Sequence, residues 1–209
     1  FLKTRIGYVP QKEIIHTELT VYQSLYYTAK LRLDNAEDDL IDRKIKEVLQ
    51  DLNISSIENN LISEISGGQK KRVSIATELL SEPLILFLDE PTSPLDPETI
   101  EDFLNILKRL SEKNTTVIMV THKPEDLDYM DDVIFMAEGG HIVYYGDSNK
   151  YKEYFNVKTP VAVFSQISGQ SVSRWVKKFI SNKVERNRES IGTNKQEPSG
   201  AKRNLFIQF

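Results

Sequence analysis

Two adjacent carboxylates, Asp89 and Glu90, directly follow the apolar run Leu84–Leu88. A short, continuous apolar run is typical of a strand that is buried on both faces of a parallel sheet. Ligand sites in such sheets lie at the carboxyl ends of the strands, where one carboxylate can hold Mg²⁺ and its neighbour can orient a water for phosphoryl transfer. A solvated acidic turn that leads into the next helix is the alternative interpretation of this pair.

A second group, Ser66-Gly67-Gly68-Gln69, stands where a helix is expected to begin. Free backbone N–H groups, the helix dipole and a serine hydroxyl make such a place suitable for a phosphate, and glycines permit its close approach. Ser66 and Gln69 also have the spacing of a capping box, so an ordinary capped helix start explains the same residues.

Two further polar residues stand at predicted strand ends. His122 follows the β-branched run Thr115–Thr121, and Gln11 follows the short strand predicted over residues 5–9. A histidine there could contact a terminal phosphate or steady a water, although a single histidine is more often an ordinary edge residue. Gln11 is unremarkable by itself.

The elements that must position these residues alternate between strands and helices. A capping box, Thr20 with Gln23, predicts a helix to about Leu33, and helical spacing of apolar residues predicts another over about 37–52. The pair Asp96-Pro97 predicts an N-cap, and Gly139-Gly140 predicts a hairpin. Further predicted elements are a helix after Gln69, strands near 133–137 and 141–145, and a short helix near 149–155. This order predicts an α/β domain with a helical insertion.

Composition excludes several kinds of site. The chain has no cysteine and three histidines, so neither a disulfide framework nor a convincing histidine metal cluster is expected. None of its nine glycines belongs to a GxxxxGK[ST] phosphate-binding loop. The longest apolar run, Leu84–Leu88, is far shorter than the ~20 residues that span a bilayer.

Charge is distributed unevenly along the 209 residues. The net charge is −4, yet from Arg174 onward nine Lys or Arg residues stand against three acidic ones. The acidic body is a poor nucleic-acid surface, so no nucleic-acid partner is expected. The basic tail could meet anionic lipid or be a plain solvated linker.

Taken in order, these blocks resemble the ABC-type ATPases. Gln11, ISGGQKKRVSIATEL, LILFLDEPTSPLD and VIMVTH have that family's layout, over residues 5 to about 155. The stretches IGYVPQKEIIHTELTVYQSLYYTAKLRL and SGGQKKRVSIATELL are similar to the G-subfamily, the white or eye-pigment type, and to bacterial half-transporters. The segment from Trp175, with its terminal NLFIQF, resembles the lead-in to a first membrane helix.

The resemblance implies a P-loop NTPase-like fold and a role for each matched residue. Gln11 would be the Q-loop glutamine and would contact Mg²⁺ together with Asp89, the Walker B aspartate. Glu90 would be the catalytic carboxylate, and His122 the switch histidine. The signature residues Ser66, Gly67, Gly68 and Gln69 would bind the γ-phosphate of ATP held on an opposing protomer, and Asp96 would end the D-loop that links the two sites.

Three departures from the family pattern stand out. Ile65 replaces the usual leucine, and Pro94 replaces the usual glycine or alanine and so stiffens the D-loop. The Walker A loop and the aromatic residue that stacks on adenine would both lie before Gln11. We therefore expect residues 1–157 to be the C-terminal two-thirds of an ABC ATPase domain, with a helical subdomain at about 12–80. Residues 158–209 would be a linker toward a membrane domain, largely flexible from about 181.

The implied function is ATP binding and hydrolysis in an ABC transporter, with ATP and Mg²⁺ as ligands. A second ABC ATPase domain, identical or different, and a transmembrane domain would be its partners at the cytoplasmic face of a membrane. Without a Walker A loop, this fragment alone is expected to be inactive. A soluble, non-transport ABC ATPase and a non-catalytic regulatory module remain as alternatives.

Overall fold

The computed structural model describes residues 5–168, 171–192 and 205–208. The chain divides into two compact units, residues 1–119 and residues 120–209. Among the described residues, none of the helices combines the length and hydrophobicity that are needed to cross a lipid bilayer.

The first unit combines two parallel strands with four α-helices. Its elements are β1 (Ile6–Val9), α1 (Val21–Arg32), α2 (Asp38–Asp51), α3 (Gly67–Leu79), β2 (Ile85–Asp89) and α4 (Pro97–Glu112). Strand β3 (Thr116–Val120) begins in this unit, where Thr116 N donates to Leu84 O at 2.8 Å. Strands β1 and β2 pair in register from Ile6 with Ile85 to Val9 with Leu88.

The prediction that β2 is buried on both faces is wrong. Leu86 and Leu88 are buried, whereas Ile85 and Phe87 are only half-buried and Leu84 is 46% exposed. The physical reason is that α3 covers one face of this pair of strands: a Cβ on Gly7 would lie 3.1 Å from Cβ of Glu78. Glycine at position 7 therefore permits the close approach of α3 to β1.

Helices α1, α2 and α3 pack through apolar faces, as the helical spacing predicts. Their fully buried residues include Val21, Leu25, Ala29, Ile41, Ile45, Val73, Ile75 and Ala76. The Thr20–Gln23 capping box is confirmed, because Thr20 N donates to Gln23 Oε1 at 3.0 Å and Gln23 N donates to Thr20 Oγ1 at 3.1 Å. An Arg32–Glu78 ion pair of 2.7 Å also joins α1 to α3.

The second unit is built on a hairpin. Strands β4 (Asp132–Ala137) and β5 (His141–Asp147) are antiparallel, and Gly139 and Gly140 between them have positive φ, as the predicted turn requires. Helices α5 (Tyr151–Phe155), α6 (Pro160–Gln166) and α7 (Val172–Gly192) follow. Trp175 of α7 packs on Phe155, with ring centroids 4.8 Å apart.

The predicted linker is more regular than its composition indicates. Helix α7 continues through Gly192, whereas the expectation of a largely flexible chain from about 181 stays a prediction. Residues 193–204 lie outside the described part of the chain. Residues Leu205–Gln208 form β6, which pairs with β4 in parallel. The resemblance of this segment to the lead-in of a membrane helix stays a prediction. The first part of α7 is packed, which composition does not reveal: Trp175 is 5% exposed and Lys178 Nζ donates to Tyr154 O at 2.6 Å.

Candidate functional site

Gln11 and Glu90, 79 residues apart in sequence, form a hydrogen bond. Gln11 Nε2 donates to Glu90 Oε2 at 2.8 Å. The parallel pairing of β1 with β2 brings them together, because the two strands end side by side, at Val9 and Asp89. The structure thus joins two residues that the sequence analysis assigned to one site.

Asp89 is the last residue of β2 and lies beside Tyr8. The Tyr8 hydroxyl donates to Asp89 Oδ2 at 3.5 Å, so this carboxylate also has a partner from β1. Gln11, Asp89 and Glu90 together present amide and carboxylate oxygens, which are the ligands that Mg²⁺ prefers. In the described part of the chain no group of three or more His, Cys, Asp or Glu is arranged to hold a metal ion. Magnesium in ATPase sites is usually held by one or two protein oxygens and the phosphates of the nucleotide, and this donor set fits that arrangement.

Glu90 has an unusual backbone conformation. Its φ of 42° lies in the left-handed region, where side chains cost of order 1–3 kcal/mol. Of the six described non-glycine residues with positive φ, four are asparagine, which tolerates this region, and the exceptions are Glu82 and Glu90. A strained carboxylate at the end of a sheet strand is a common property of functional sites.

The predicted capping box at the start of α3 is also confirmed. Ser66 N donates to Gln69 Oε1 at 2.9 Å, and Gln69 N donates to Ser66 Oγ at 3.3 Å. The N–H groups of Gly67 and Gly68 in this first helical turn have no hydrogen-bond partner among the described residues. Two free donors at a helix N-terminus favour an anion.

This helix start opens into a cavity of about 270 Å³. The cavity is also lined by Pro94, Leu95 and Asp96. Residues of both the predicted signature motif and the predicted D-loop therefore line the same cavity. The remaining lining residues are Asn53, Ile54, Ser56, Arg72 and Thr99. A Cβ on Gly68 would lie 3.0 Å from Leu95 Cδ2, whereas a Cβ on Gly67 would come no nearer than 3.9 Å to Pro94 O.

Asp96 is the residue before α4, and Pro97 is the first helical residue, as predicted. Its side chain makes no capping hydrogen bond, and Thr99 N donates instead to the backbone oxygen of Asp96 at 2.9 Å. The expected cap position is therefore confirmed, and Asp96 also lines the cavity.

His122 lies in the second unit, directly after β3, and is exposed. Its assignment as the switch histidine stays a prediction.

Sequence reasoning missed Lys71, a fully buried lysine on α3. Its Nζ donates to Pro10 O and Gln11 O, at 3.1 and 2.8 Å, and contacts Glu13 Oε1 at 2.8 Å. The available signal was helical spacing, because Lys71 precedes the buried Ile75 and Leu79 at intervals of four residues. The structure also shows Arg72 bound to Asp102, with 2.8 Å between Nη2 and Oδ2.

Comparison with known proteins identifies the family of this chain. Residues 1–93 match the model of the family described as ABC transporter. The chain is 37% identical, over 169 residues, to the ABC transporter ATP-binding/permease protein Rv1747 of Mycobacterium tuberculosis. It is 39% identical, over 163 residues, to ABC transporter G family member 14 of Arabidopsis thaliana.

These alignments cover 80% and 74% of this chain but only 19% and 25% of the two relatives. A solved structure, cbiO1 from Clostridium perfringens, described as part of the ABC transporter complex cbiONQ, aligns with a TM-score of 0.65 at 31% identity. That alignment covers 74% of this chain and 60% of cbiO1. The chain belongs to the ABC transporter family, as an ATP-binding domain similar to those of the G-subfamily.

Proposed function

We propose that this chain is part of the ATP-binding and ATP-hydrolysing subunit of an ABC transporter. One observation carries the proposal: the free N–H groups of Gly67 and Gly68 open into the cavity that the D-loop residues share. Free N–H groups at a helix N-terminus, with the positive end of the helix dipole, suit a phosphate oxygen. In this role Ser66 to Gln69 bind the γ-phosphate of ATP that a second ABC ATPase domain holds.

The carboxylate site performs the chemical step. ATP-bound Mg²⁺ supplies charge neutralisation at the phosphates, and Asp89 with Gln11 would hold it. Glu90 orients the attacking water and accepts its proton, and the hydrogen bond from Gln11 fixes the direction of the Glu90 carboxylate. His122 steadies the terminal phosphate. Asp96 lies on the cavity wall and links the two sites of the dimer.

Coupling to transport follows from the two-domain arrangement. ATP brings two ATPase domains together, and hydrolysis releases them, which moves a transmembrane domain bound at the cytoplasmic face of the membrane. The 209-residue chain by itself does not turn over ATP, because it has no GxxxxGK[ST] loop to hold the other side of the phosphates.

Glu90→Gln tests this proposal in a chain extended before Phe1 by the GxxxxGK[ST]-containing segment of a similar ATPase. We expect Mg²⁺-dependent hydrolysis whose kcat falls by about 10²–10⁴-fold in Glu90→Gln, because the general base is lost while its shape is kept. Glu98→Gln, at an exposed carboxylate in the first turn of α4, is the matched control and should leave kcat unchanged.

Three outcomes would contradict the proposal. An unchanged kcat in Glu90→Gln removes Glu90 from the chemical step. An extended Glu90→Gln chain that stays monomeric with ATP, measured by analytical ultracentrifugation, argues against the phosphate site at Gly67 and Gly68. Hydrolysis by residues 1–209 alone that depends on Glu90 shows that no further phosphate-binding loop is needed.

A further inference from the structure

Lys71 is a charged side chain with no exposed surface. An ammonium group has three N–H donors, and Lys71 has three acceptors within hydrogen-bond distance: Pro10 O, Gln11 O and Glu13 Oε1. Its charge and its donor capacity are therefore both matched, although the side chain is removed from water.

Packing alone does not explain a lysine at this position. Removing a charge from water carries a large desolvation cost before its partners offset it, and an apolar side chain of similar volume is often as stable or more so. Lys71 stands on the same face of α3 as Ile75 and Leu79, so leucine or methionine would satisfy the helix spacing. An apolar residue, however, would make no hydrogen bonds to the backbone oxygens of residues 10 and 11.

That backbone carries Gln11, whose amide donates to Glu90. Lys71 thus holds the main chain of the residue that contacts the carboxylate site. It also stands two positions after Gln69, in the helix whose first turn has the free N–H groups of Gly67 and Gly68. Lys71 lies three to four residues after these N–H groups in the same continuous helix, a rise of about 4.5–6 Å. A displacement of the helix start would therefore also shift Lys71 and the Gln11 backbone that it holds.

We propose that Lys71 is a positioning residue that fixes Gln11 against Glu90 and links the start of helix α3 to the carboxylate site. The proposal rests on the proposed function, because it concerns two parts of the same ATPase site. It adds that phosphate contact at Gly67 and Gly68 and the orientation of the Gln11 amide are coupled within one protomer.

The experiment measures the Gln11 side-chain amide in the 209-residue chain by ¹H–¹⁵N NMR, with the signal assigned from a Gln11→Leu variant. In the parent, Glu90→Gln should shift this signal, because it changes the acceptor of the hydrogen bond. In a Lys71→Met background the same Glu90→Gln change should lose most of its effect, since Gln11 is no longer held in place. Methionine is also unbranched and only one atom shorter than lysine, and it removes the charge and the donors.

Lys70→Met is the matched control. Lys70 is the neighbouring residue on the same helix and is half-buried, and none of the three acceptors of Lys71 is its partner. In that background Glu90→Gln should shift the Gln11 signal as it does in the parent. A merely structural role for Lys71 would lower stability but leave the shift of a folded chain unchanged.

A second variant keeps the test decisive. If Lys71→Met does not fold, Glu13→Ala takes its place. This change removes one of the three acceptors of Lys71, and the Glu13 side chain is 23% exposed, so the fold should tolerate it. The effect of Glu90→Gln on the Gln11 signal should then be reduced, but by less than in Lys71→Met. A Gln11 signal that responds fully to Glu90→Gln in a folded Lys71→Met chain, or in Glu13→Ala where that chain is used, overturns the proposal.

The NMR result needs no nucleotide and no turnover, so it stands even if the proposed ATPase function fails. In the extended chain, Lys71→Met should lower kcat by about 10- to 100-fold and leave the KM for ATP unchanged, because misplacement of a polar group impairs the chemical step more than binding. A lower kcat with an intact Gln11–Glu90 response would contradict this inference and leave the proposed function in place.

Discussion

Helices α1 and α3 begin with the same capping box, yet their first turns are in different surroundings. In α1 the loop at residues 58–60 accepts the first two N–H groups: Val21 N donates to Asn60 O at 3.1 Å and Tyr22 N to Glu58 O at 2.9 Å. In α3 the corresponding residues are Gly67 and Gly68, whose N–H groups have no partner among the described residues. The capping motif therefore starts both helices, while the tertiary surroundings decide which start can receive a ligand.

The largest expected effect comes from placing a negative charge at each start. Aspartate caps a helix as well as serine does, so Ser66→Asp and Thr20→Asp should both fold with normal stability. In the extended Glu90→Gln chain, Ser66→Asp should raise the ATP concentration for half-maximal dimerisation by at least about tenfold, because like charges repel at close range. Thr20→Asp is the control, and an equal effect of the two changes would show that α3 is not special.

Removal of either cap should lower the free energy of unfolding by the same amount, whereas the two changes should differ in their effect on ATP-driven dimerisation. Ser66→Ala and Thr20→Ala should each lower the free energy of unfolding by about 1 kcal/mol, because each removes one acceptor for a first-turn N–H. Urea unfolding measures this change. Only Ser66→Ala should also weaken ATP-driven dimerisation, and a similar weakening by Thr20→Ala would contradict the comparison.

The two glycines of α3 allow a finer test. Gly67→Ala should keep or slightly raise the free energy of unfolding, because its Cβ meets only Pro94 O, at 3.9 Å, and alanine is the better helix former. Gly68→Ala should be less stable than Gly67→Ala by about 1 kcal/mol, because its Cβ would lie 3.0 Å from Leu95 Cδ2. Thermal unfolding of both variants measures the difference. Equal stability would show that the Leu95 side chain can move aside without an energetic cost.

The smallest expected effect is on the free energy of unfolding at alkaline pH, and it arises from Tyr22 in α1. Tyr22 donates a hydrogen bond to Asp42, and this bond together with partial burial raises the pKa of Tyr22 to about 12. Because the folded chain holds this proton more tightly than the unfolded chain does, the contribution is complete below about pH 10 and is lost as the pH rises toward 12. The free energy of unfolding should fall less between about pH 9 and pH 11 in Tyr22→Phe than in the parent, and an identical fall would contradict the assignment.

Local sequence patterns predicted the elements from β1 to α5 and the two caps, because a capping box involves residues only three positions apart. The Ser66–Gln69 and Thr20–Gln23 pairs were therefore predictable, as was the Gly139-Gly140 hairpin. The Gln11–Glu90 hydrogen bond was not derivable from local patterns, since it depends on the pairing of β1 with β2. Only the family resemblance assigned those two residues to one site.

Other features depended on packing that the chain does not display locally. The partners of Lys71 are about 60 residues away, and its neighbours in sequence make it look like part of a solvated basic run. Helix α7 continues through the polar residues 181–192, where composition indicated a linker. For Lys71, partners that are distant in sequence decide the structure.

The left-handed backbone of Glu90 affects how this protein would respond to selection for thermal stability. Glycine at position 90 would relieve about 1 kcal/mol of backbone strain and would remove the carboxylate. A library screened for heat resistance alone would therefore enrich glycine at this position, and its most robust members would be the ones that had lost their chemistry.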